Sequence, residues 1–333
     1  LKEEIPEQRY VAALISDLDH TLPFIWGRRV TTVFFGGGTP SLFSPGAIDA
    51  ILAGVRARIA LDPEAEITLE ANPGTVDAER FAGFRDAGIN RLSLGIQSFD
   101  DRHLAALGRI HGGDEARRAI DAAQAHFTNL NLDLMFALPG QTLEACRTDL
   151  QIALEFGTPH LSLYHLTLEP NTLFHRFPPA LPDEDLGADM HEAVIETLGA
   201  RGYRNYETSA FALPGRECRH NLNYWQFGDY IGLGAGAHGK LSFPDRIERT
   251  AKHRHPADYM ARAMAGDALQ EARTLDDTDL PFEFMLNALR LEDGFDLSLF
   301  TERTGLSLAT VLGPLEQAER KGLMERDHRR ARP

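Results

Sequence analysis

The chain has 333 residues, 43% of them hydrophobic and 25% charged, with a formal net charge of −15. That length holds one large domain and a smaller one. The acidic balance, with no basic stripe to neutralise phosphates, argues against nucleic acid as a partner. No apolar run is long enough for a membrane span and no signal peptide opens the chain. Cys146 and Cys218 lie far apart, so a disulfide framework is not expected and the cytoplasm is the expected compartment.

In chain order, Leu1-Lys2-Glu3-Glu4 enters a helical pattern without an initiator Met. Pro6 suits a first helical turn. Tyr10, Val11, Leu14, Ile15 and Leu18 then recur at helical spacing. A helix with no strand before it suggests a segment ahead of Leu1, and the ending Arg329-Arg330-Ala331-Arg332-Pro333 reads as cut. Strands are expected near Val30–Phe35, Glu66–Glu70, Arg91–Ile96, Leu130–Phe136 and Leu161–Leu166. Amphipathic helices are expected between them, over Pro45–Ile59, Ala78–Ala87, Asp114–Ala125 and Leu143–Phe156. This alternation predicts a parallel sheet with right-handed crossovers. Five strands are visible, and with one ahead of Leu1 six would make a partial (β/α)6 barrel. After Thr167 the rhythm changes. Asp183–Ala200 reads as a helix, Tyr203–Thr208 and Gly228–Ile231 as short strands or hairpin pieces, and Gly232 to Gly239 as a glycine-rich loop. From Ala257 to Arg320 the pattern is mostly helical, and Gly322-Leu323-Met324-Glu325 resembles the start of a wing strand. Three parts are expected: residues 1–170 as the barrel core, 171–256 as its extension, and 257–333 as a winged-helix-like domain.

The Val30–Phe35 run ends in Gly36-Gly37-Gly38-Thr39-Pro40. Glycines there let a backbone edge approach a ligand. In parallel α/β folds, ligands bind at the carboxyl ends of the strands. Polar groups stand at or near three further strand ends: Glu70, Gln97 with Arg109 shortly after it, and Asp133 within Leu130–Phe136. Each has an ordinary structural reading: Glu70 as a helix cap, Gln97 as a partner for loop backbone, Arg109 in a surface ion pair. Asp133 is hardest to set aside, because a buried carboxylate needs partners. Together they are more specific. Carboxylates bind a ribose diol or an ammonium, and an arginine clamps a carboxylate. The set suits a zwitterionic nucleoside such as S-adenosylmethionine.

Gly36-Gly37-Gly38-Thr39-Pro40-Ser41, Leu69-Glu70-Ala71-Asn72-Pro73, Gly95-Ile96-Gln97-Ser98-Phe99 and Asp133 to Gly140 closely resemble the radical S-adenosylmethionine proteins of the oxygen-independent coproporphyrinogen oxidase family, in order and spacing over almost the whole chain. The resemblance implies that Gly37, Gly38, Thr39, Glu70, Gln97, Arg109 and Asp133 bind S-adenosylmethionine. It also implies a [4Fe–4S] cluster held by Cys-x3-Cys-x2-Cys after the first strand. The sequence has no such motif, and Cys146 and Cys218 do not make a three-thiolate set. The expectation is that the cluster loop precedes Leu1 and that residues 1–333 alone take up no cluster.

Within that family, His220-Asn221-Leu222-Asn223-Tyr224-Trp225 matches the His-Asn-x-x-Tyr-Trp run of the HemW-type haem chaperones. Histidine is a good axial ligand to haem iron, and Tyr224 and Trp225 offer flat apolar surface with polar tips. The ordinary alternative is a Tyr-Trp pair packed beside a loop histidine. His238 reads as a loop histidine satisfying backbone, or else as a second porphyrin-side residue. The resemblance implies a haem chaperone that binds haem and S-adenosylmethionine and delivers haem to acceptors such as respiratory cytochromes, with no nucleic-acid partner and peripheral membrane association left open. The first alternative is the oxidase, which uses a radical to decarboxylate coproporphyrinogen III. The second is a cluster-free barrel enzyme for a phosphorylated metabolite, which the mixed-charge strand ends disfavour, since a phosphate site wants donors.

Overall fold

The computed structural model describes residues 5–170 and 172–333, so the helical expectation for Leu1 to Glu4 lies outside the described residues. Packing divides the chain into two compact units. One comprises Thr32–Pro45 and Glu66–Cys218; the other gathers the described part of Leu1–Thr31 with Gly46–Ala65 and Arg219–Pro333.

The first unit is built on a sheet. Its strands are β1 (Arg29–Phe35), β2 (Ala60–Ala71), β3 (Arg91–Gln97), β4 (Leu130–Phe136), β5 (His160–His165), β6 (Arg204–Glu207) and β7 (Ala210–Ala212). The order is β1-β2-β3-β4-β5-β7-β6, a curled half barrel. From β2 to β5 neighbours pair in parallel, whereas β7 pairs antiparallel with both β5 and β6. The expected partial barrel is therefore present, closed on one side by an antiparallel pair. The crossover helices Ala78–Ala87 and Leu143–Glu155 lie where periodicity puts them, and Asp77 and Thr142 cap them by accepting from Arg80 N and Ala145 N.

Strand register places the polar residues. Glu70 pairs with Ser93, Ser93 with Asn131, and Asn131 with His160; Asp133 pairs with Ser162 one step further along. Alternate residues of a strand share a face. Glu70, Ser93, Asn131 and His160 therefore make one polar row across four strands, while Leu92, Leu94, Leu132 and Leu161 point the other way into the apolar core.

In the second unit the helix Glu7–Ile25 buries Ala13, Leu14, Asp17 and Leu18. Strands β8 (His238–Ser242), β9 (Ile247–Lys252) and β10 (Leu269–Leu275) form an antiparallel sheet ordered β10-β9-β8. Helices Asp279–Ala288, Leu297–Thr304 and Ala309–Arg320 surround a core containing Phe284, Phe295, Phe300 and Leu315. Strands β11 (Phe295–Asp296), β12 (Glu325–Arg326) and β13 (Arg330–Arg332) add a small wing ordered β11-β13-β12. Two expectations are corrected. Gly228–Ile231 is no strand and contributes only an isolated bridge from Tyr230 to Lys240. Leu269–Leu275, in a stretch read as helical, is a strand; six of its seven residues are exposed, so no apolar alternation marks it.

Candidate functional site

The carboxyl ends of β1 to β4 open into a cleft of about 220 Å³. Gly37, Gly38, Thr39, Glu70, Gln97, Arg109 and Asp133 all line it, so the seven residues expected at a nucleoside site come together. Asn72, Ser93 and Gly95 line it too. Asn72 and Gly95 stand within the family motifs, whereas no motif marks Ser93.

Each wall has a local cause. Gly37 has a φ of 103°, a conformation that favours glycine. A Cβ on Gly37 or Gly38 would meet nothing within 4 Å, so the glycines leave a bare backbone edge facing open space. Behind that edge, Arg80 Nη2 donates to the carbonyls of Ser41 and Phe43, at 2.6 and 2.7 Å, and holds the returning loop. The Thr39 hydroxyl donates to Gly38 O at 2.8 Å. Gly95 is the close approach in β3, where an added Cβ would stand 3.0 Å from Asn72 Oδ1 and 3.2 Å from Gln97 Nε2.

Gln97 ends β3 at a φ of 69°, unusual for a residue with a side chain. The register between β3 and β4 slips between Leu94 and Gln97, a bulge that re-aims the glutamine. Asp149, buried on the helix Leu143–Glu155, holds the next two residues by accepting from Ser98 Oγ at 2.7 Å and Phe99 N at 2.8 Å. Arg109 Nη1 donates to Asn72 Oδ1 at 3.3 Å. His111 Nε2 donates to Ile96 O at 3.2 Å, tying the Arg109 loop to the end of β3.

Burial, followed by repulsion from Asp133, pushes the Glu70 carboxyl up to about 7, against a lowering by the Gly37 N–H that donates to it. Burial also raises Asp133, opposed by hydrogen bonds from Ser93 and Asn131 and by the Arg91 charge. Burial lowers Arg109, and Asp133 partly offsets this. The cleft thus presents acceptors for hydroxyls or an ammonium, one guanidinium for a carboxylate, and bare backbone at its rim.

The other expected residues belong to the second unit. His220, Tyr224 and Trp225 share the short helix Arg219–Trp225. His220 is buried, with the Tyr224 ring edge-on at 6.4 Å. Tyr224 also meets Tyr230 edge-on at 4.6 Å, and the Arg290 guanidinium lies 4.3 Å from the Trp225 ring centre. The buried Trp225 indole N–H has no acceptor among the described residues. His238 is corrected: it opens β8, paired with Ala251, and its side chain is exposed rather than satisfying loop backbone.

Both cysteines are buried, Cys146 on a helix with its thiol pushed up to about 12 by burial, Cys218 within reach of Glu66 Oε1 at 3.7 Å. They do not fit a three-thiolate cluster site.

Residues 15–152 match the radical SAM superfamily model, and residues 275–333 match the HemN C-terminal domain. The protein named heme chaperone HemW of Escherichia coli K12 is 50% identical over 97% of this chain and 85% of its own length. The Haemophilus influenzae protein of the same name is 46% identical over 95% and 83%. The chain belongs to the HemW family. The solved structure of Escherichia coli coproporphyrinogen III oxidase (HemN), described as a radical SAM enzyme, superimposes with a TM-score of 0.82 at 22% identity. It covers all of this chain and 80% of that one, and shows a shared fold. Radical SAM membership implies S-adenosylmethionine and a [4Fe–4S] cluster as cofactors of the family. No helix among the described residues is long and apolar enough to cross a membrane.

Proposed function

We propose that this member of the HemW family is a haem chaperone, one that holds S-adenosylmethionine in the strand-end cleft and passes haem to acceptor proteins such as cytochromes. The observation that carries the reading is 50% identity over 97% of the chain to a protein named heme chaperone HemW. The donor set of the cleft supports the nucleoside part. Glu70 and Asp133 offer acceptors to the ribose hydroxyls or the methionyl ammonium, Arg109 offers a fork to the methionyl carboxylate, and Gly37 and Gly38 offer backbone. A [4Fe–4S] cluster, when bound, would supply the redox chemistry of the superfamily; Cys146 and Cys218 do not account for its thiolate ligands. For haem, Tyr224 and Trp225 offer flat aromatic surface beside Arg290, a cation suited to a propionate. Because His220 is buried, iron ligation by its imidazole requires the turn Arg219–Trp225 to open.

Haem titration followed in the Soret band tests this, together with an anaerobic assay of coproporphyrinogen III conversion. The chaperone reading expects stoichiometric haem binding and no decarboxylation. Catalytic conversion would install the oxidase reading in its place. A weakened or shifted spectrum in His220→Ala supports ligation by His220, whereas an unchanged spectrum moves the ligand elsewhere, with the exposed His238 next.

A further inference from the structure

The polar row behind the cleft continues past any residue that can touch a ligand there. Asn131, His160, Ser162 and Tyr206 are all buried, and they are joined by hydrogen bonds with a single direction. Asp133, as a carboxylate, only accepts, so the Asn131 amide turns its nitrogen toward it. Asn131 Nδ2 donates to Asp133 Oδ1 at 2.8 Å and to Ser93 Oγ at 2.7 Å. Ser93 Oγ in turn donates to Asp133 Oδ2 at 2.9 Å. Asn131 Oδ1 therefore faces away, accepting from Ser162 Oγ at 3.1 Å and from His160 Nδ1 at 2.6 Å. That contact fixes the proton of a neutral imidazole on Nδ1, the tautomer less favoured in water. His160 Nε2 is left as an acceptor, and Tyr206 donates to it at 2.9 Å. The Tyr206 oxygen accepts from Cys218 N at 3.3 Å. The bonds from Tyr206 through His160 and Asn131 run toward Asp133, and bonds aligned this way polarise one another.

We propose that His160, oriented by Tyr206, is a positioning residue for the nucleoside cleft: it locks the Asn131 amide, and through it the Asp133 carboxylate, in the one orientation that leaves Asp133 a fixed acceptor. The inference rests on the reading of the cleft as an S-adenosylmethionine site. A purely structural histidine would need only to be satisfied. This one sets the direction of the amide that meets the ligand-binding carboxylate, and an Asn131 turned by half a revolution would put its oxygen against Asp133.

Calorimetry with S-adenosylmethionine is combined with nitrogen NMR of ¹⁵N-histidine-labelled protein. Tyr206→Phe keeps the ring and drops the donor; His160→Phe drops the donor to Asn131; His160→Gln returns an amide N–H. Loss of one net hydrogen bond is expected to weaken affinity about three- to tenfold in the first two variants. His160→Gln is expected to recover most of the loss. In wild type, His160 should show the Nδ1–H tautomer, with its resonance shifting on ligand addition, and Tyr206→Phe should blunt that shift. Thermal melts select variants that stay folded, and Tyr206→Phe, the milder change, serves if His160→Phe does not. Unchanged affinity in the folded variants, or an Nε2–H tautomer, overturns the proposal while leaving the nucleoside site intact. Wild-type protein that binds no S-adenosylmethionine overturns the underlying reading, and this inference with it.

Discussion

Glu70 carries the clearest consequence at the level of a single residue. Its carboxyl is raised to about 7 by burial and by Asp133, so the folded state holds a proton that the unfolded chain releases near 4.3. A raised folded value means that the group's contribution is fully present below about pH 4 and is lost as pH rises through about 7. Glu70→Gln should therefore match wild type in stability at pH 4 and exceed it by roughly 1–2 kcal/mol at pH 8, after allowing for solvent screening at the cleft mouth. Urea denaturation across that range checks it. Binding has the opposite sign. An acceptor for an ammonium or a hydroxyl works best ionised, so S-adenosylmethionine affinity should rise between pH 6 and 8 in wild type and stay flat in Glu70→Gln. A flat wild-type profile would remove Glu70 from the ligand contact. Glu70, Gln97 and Asp133 were legible because parallel strands bring successive polar ends together. Asn131, His160 and Tyr206 were not, although Asn131-Leu132-Asp133 and His160-Leu161-Ser162 alternate polar with apolar. That alternation becomes informative only with the register that pairs Asn131 with His160.

Among elements, the turn after β3 concentrates the strain of the site. Gln97 holds a φ of 69°, a conformation that persists only when its surroundings over-determine it. Asp149 is one such constraint, fastening Ser98 and Phe99 from a helix some fifty residues away. Gly113 is another: an added Cβ would stand 2.1 Å from Phe99 O, so the helix Gly113–Gln124 can start there only with glycine. Asp149→Ala leaves the Ser98 hydroxyl proton and the Phe99 N–H without their acceptor, and should cost about 2–4 kcal/mol in chemical denaturation. It should also lower S-adenosylmethionine affinity, because Gln97 loses its anchor. Full stability with intact affinity would show that the bulge holds itself. Strand and helix types here followed from periodicity, while the bulge did not, since nothing local in Gly95-Ile96-Gln97 announces a backbone set by Asp149. The same limit explains Leu269–Leu275, where a polar, exposed strand is specified by its partner β9 rather than by its own pattern.

Over the whole chain, what escaped the sequence is contact between distant segments. The half barrel was legible because each βα step repeats locally, and the closing wing because Gly322 follows a helix just before β12. That Asp17 meets Lys252 and Tyr259 has no local signature. Asp17 is buried on the helix Glu7–Ile25, accepting from Lys252 Nζ at 2.5 Å and from the Tyr259 hydroxyl at 2.9 Å. Lys252 ends β9 and Tyr259 lies on the helix Pro256–Met264, so one carboxylate joins three elements of the second unit. Taking two charges out of water costs nearly what their attraction returns, but removing one partner strands the other in a low dielectric. Asp17→Ala should therefore destabilise by about 3–5 kcal/mol. The pair Asp17→Leu with Lys252→Met, which removes both charges, should recover most of that loss. Urea midpoints of Asp17→Ala and of the double variant decide between an ion pair that sets which segments meet and one that supplies net stability. Recovery in the double variant assigns the pair to specificity, and a double variant as weak as Asp17→Ala assigns it to stability.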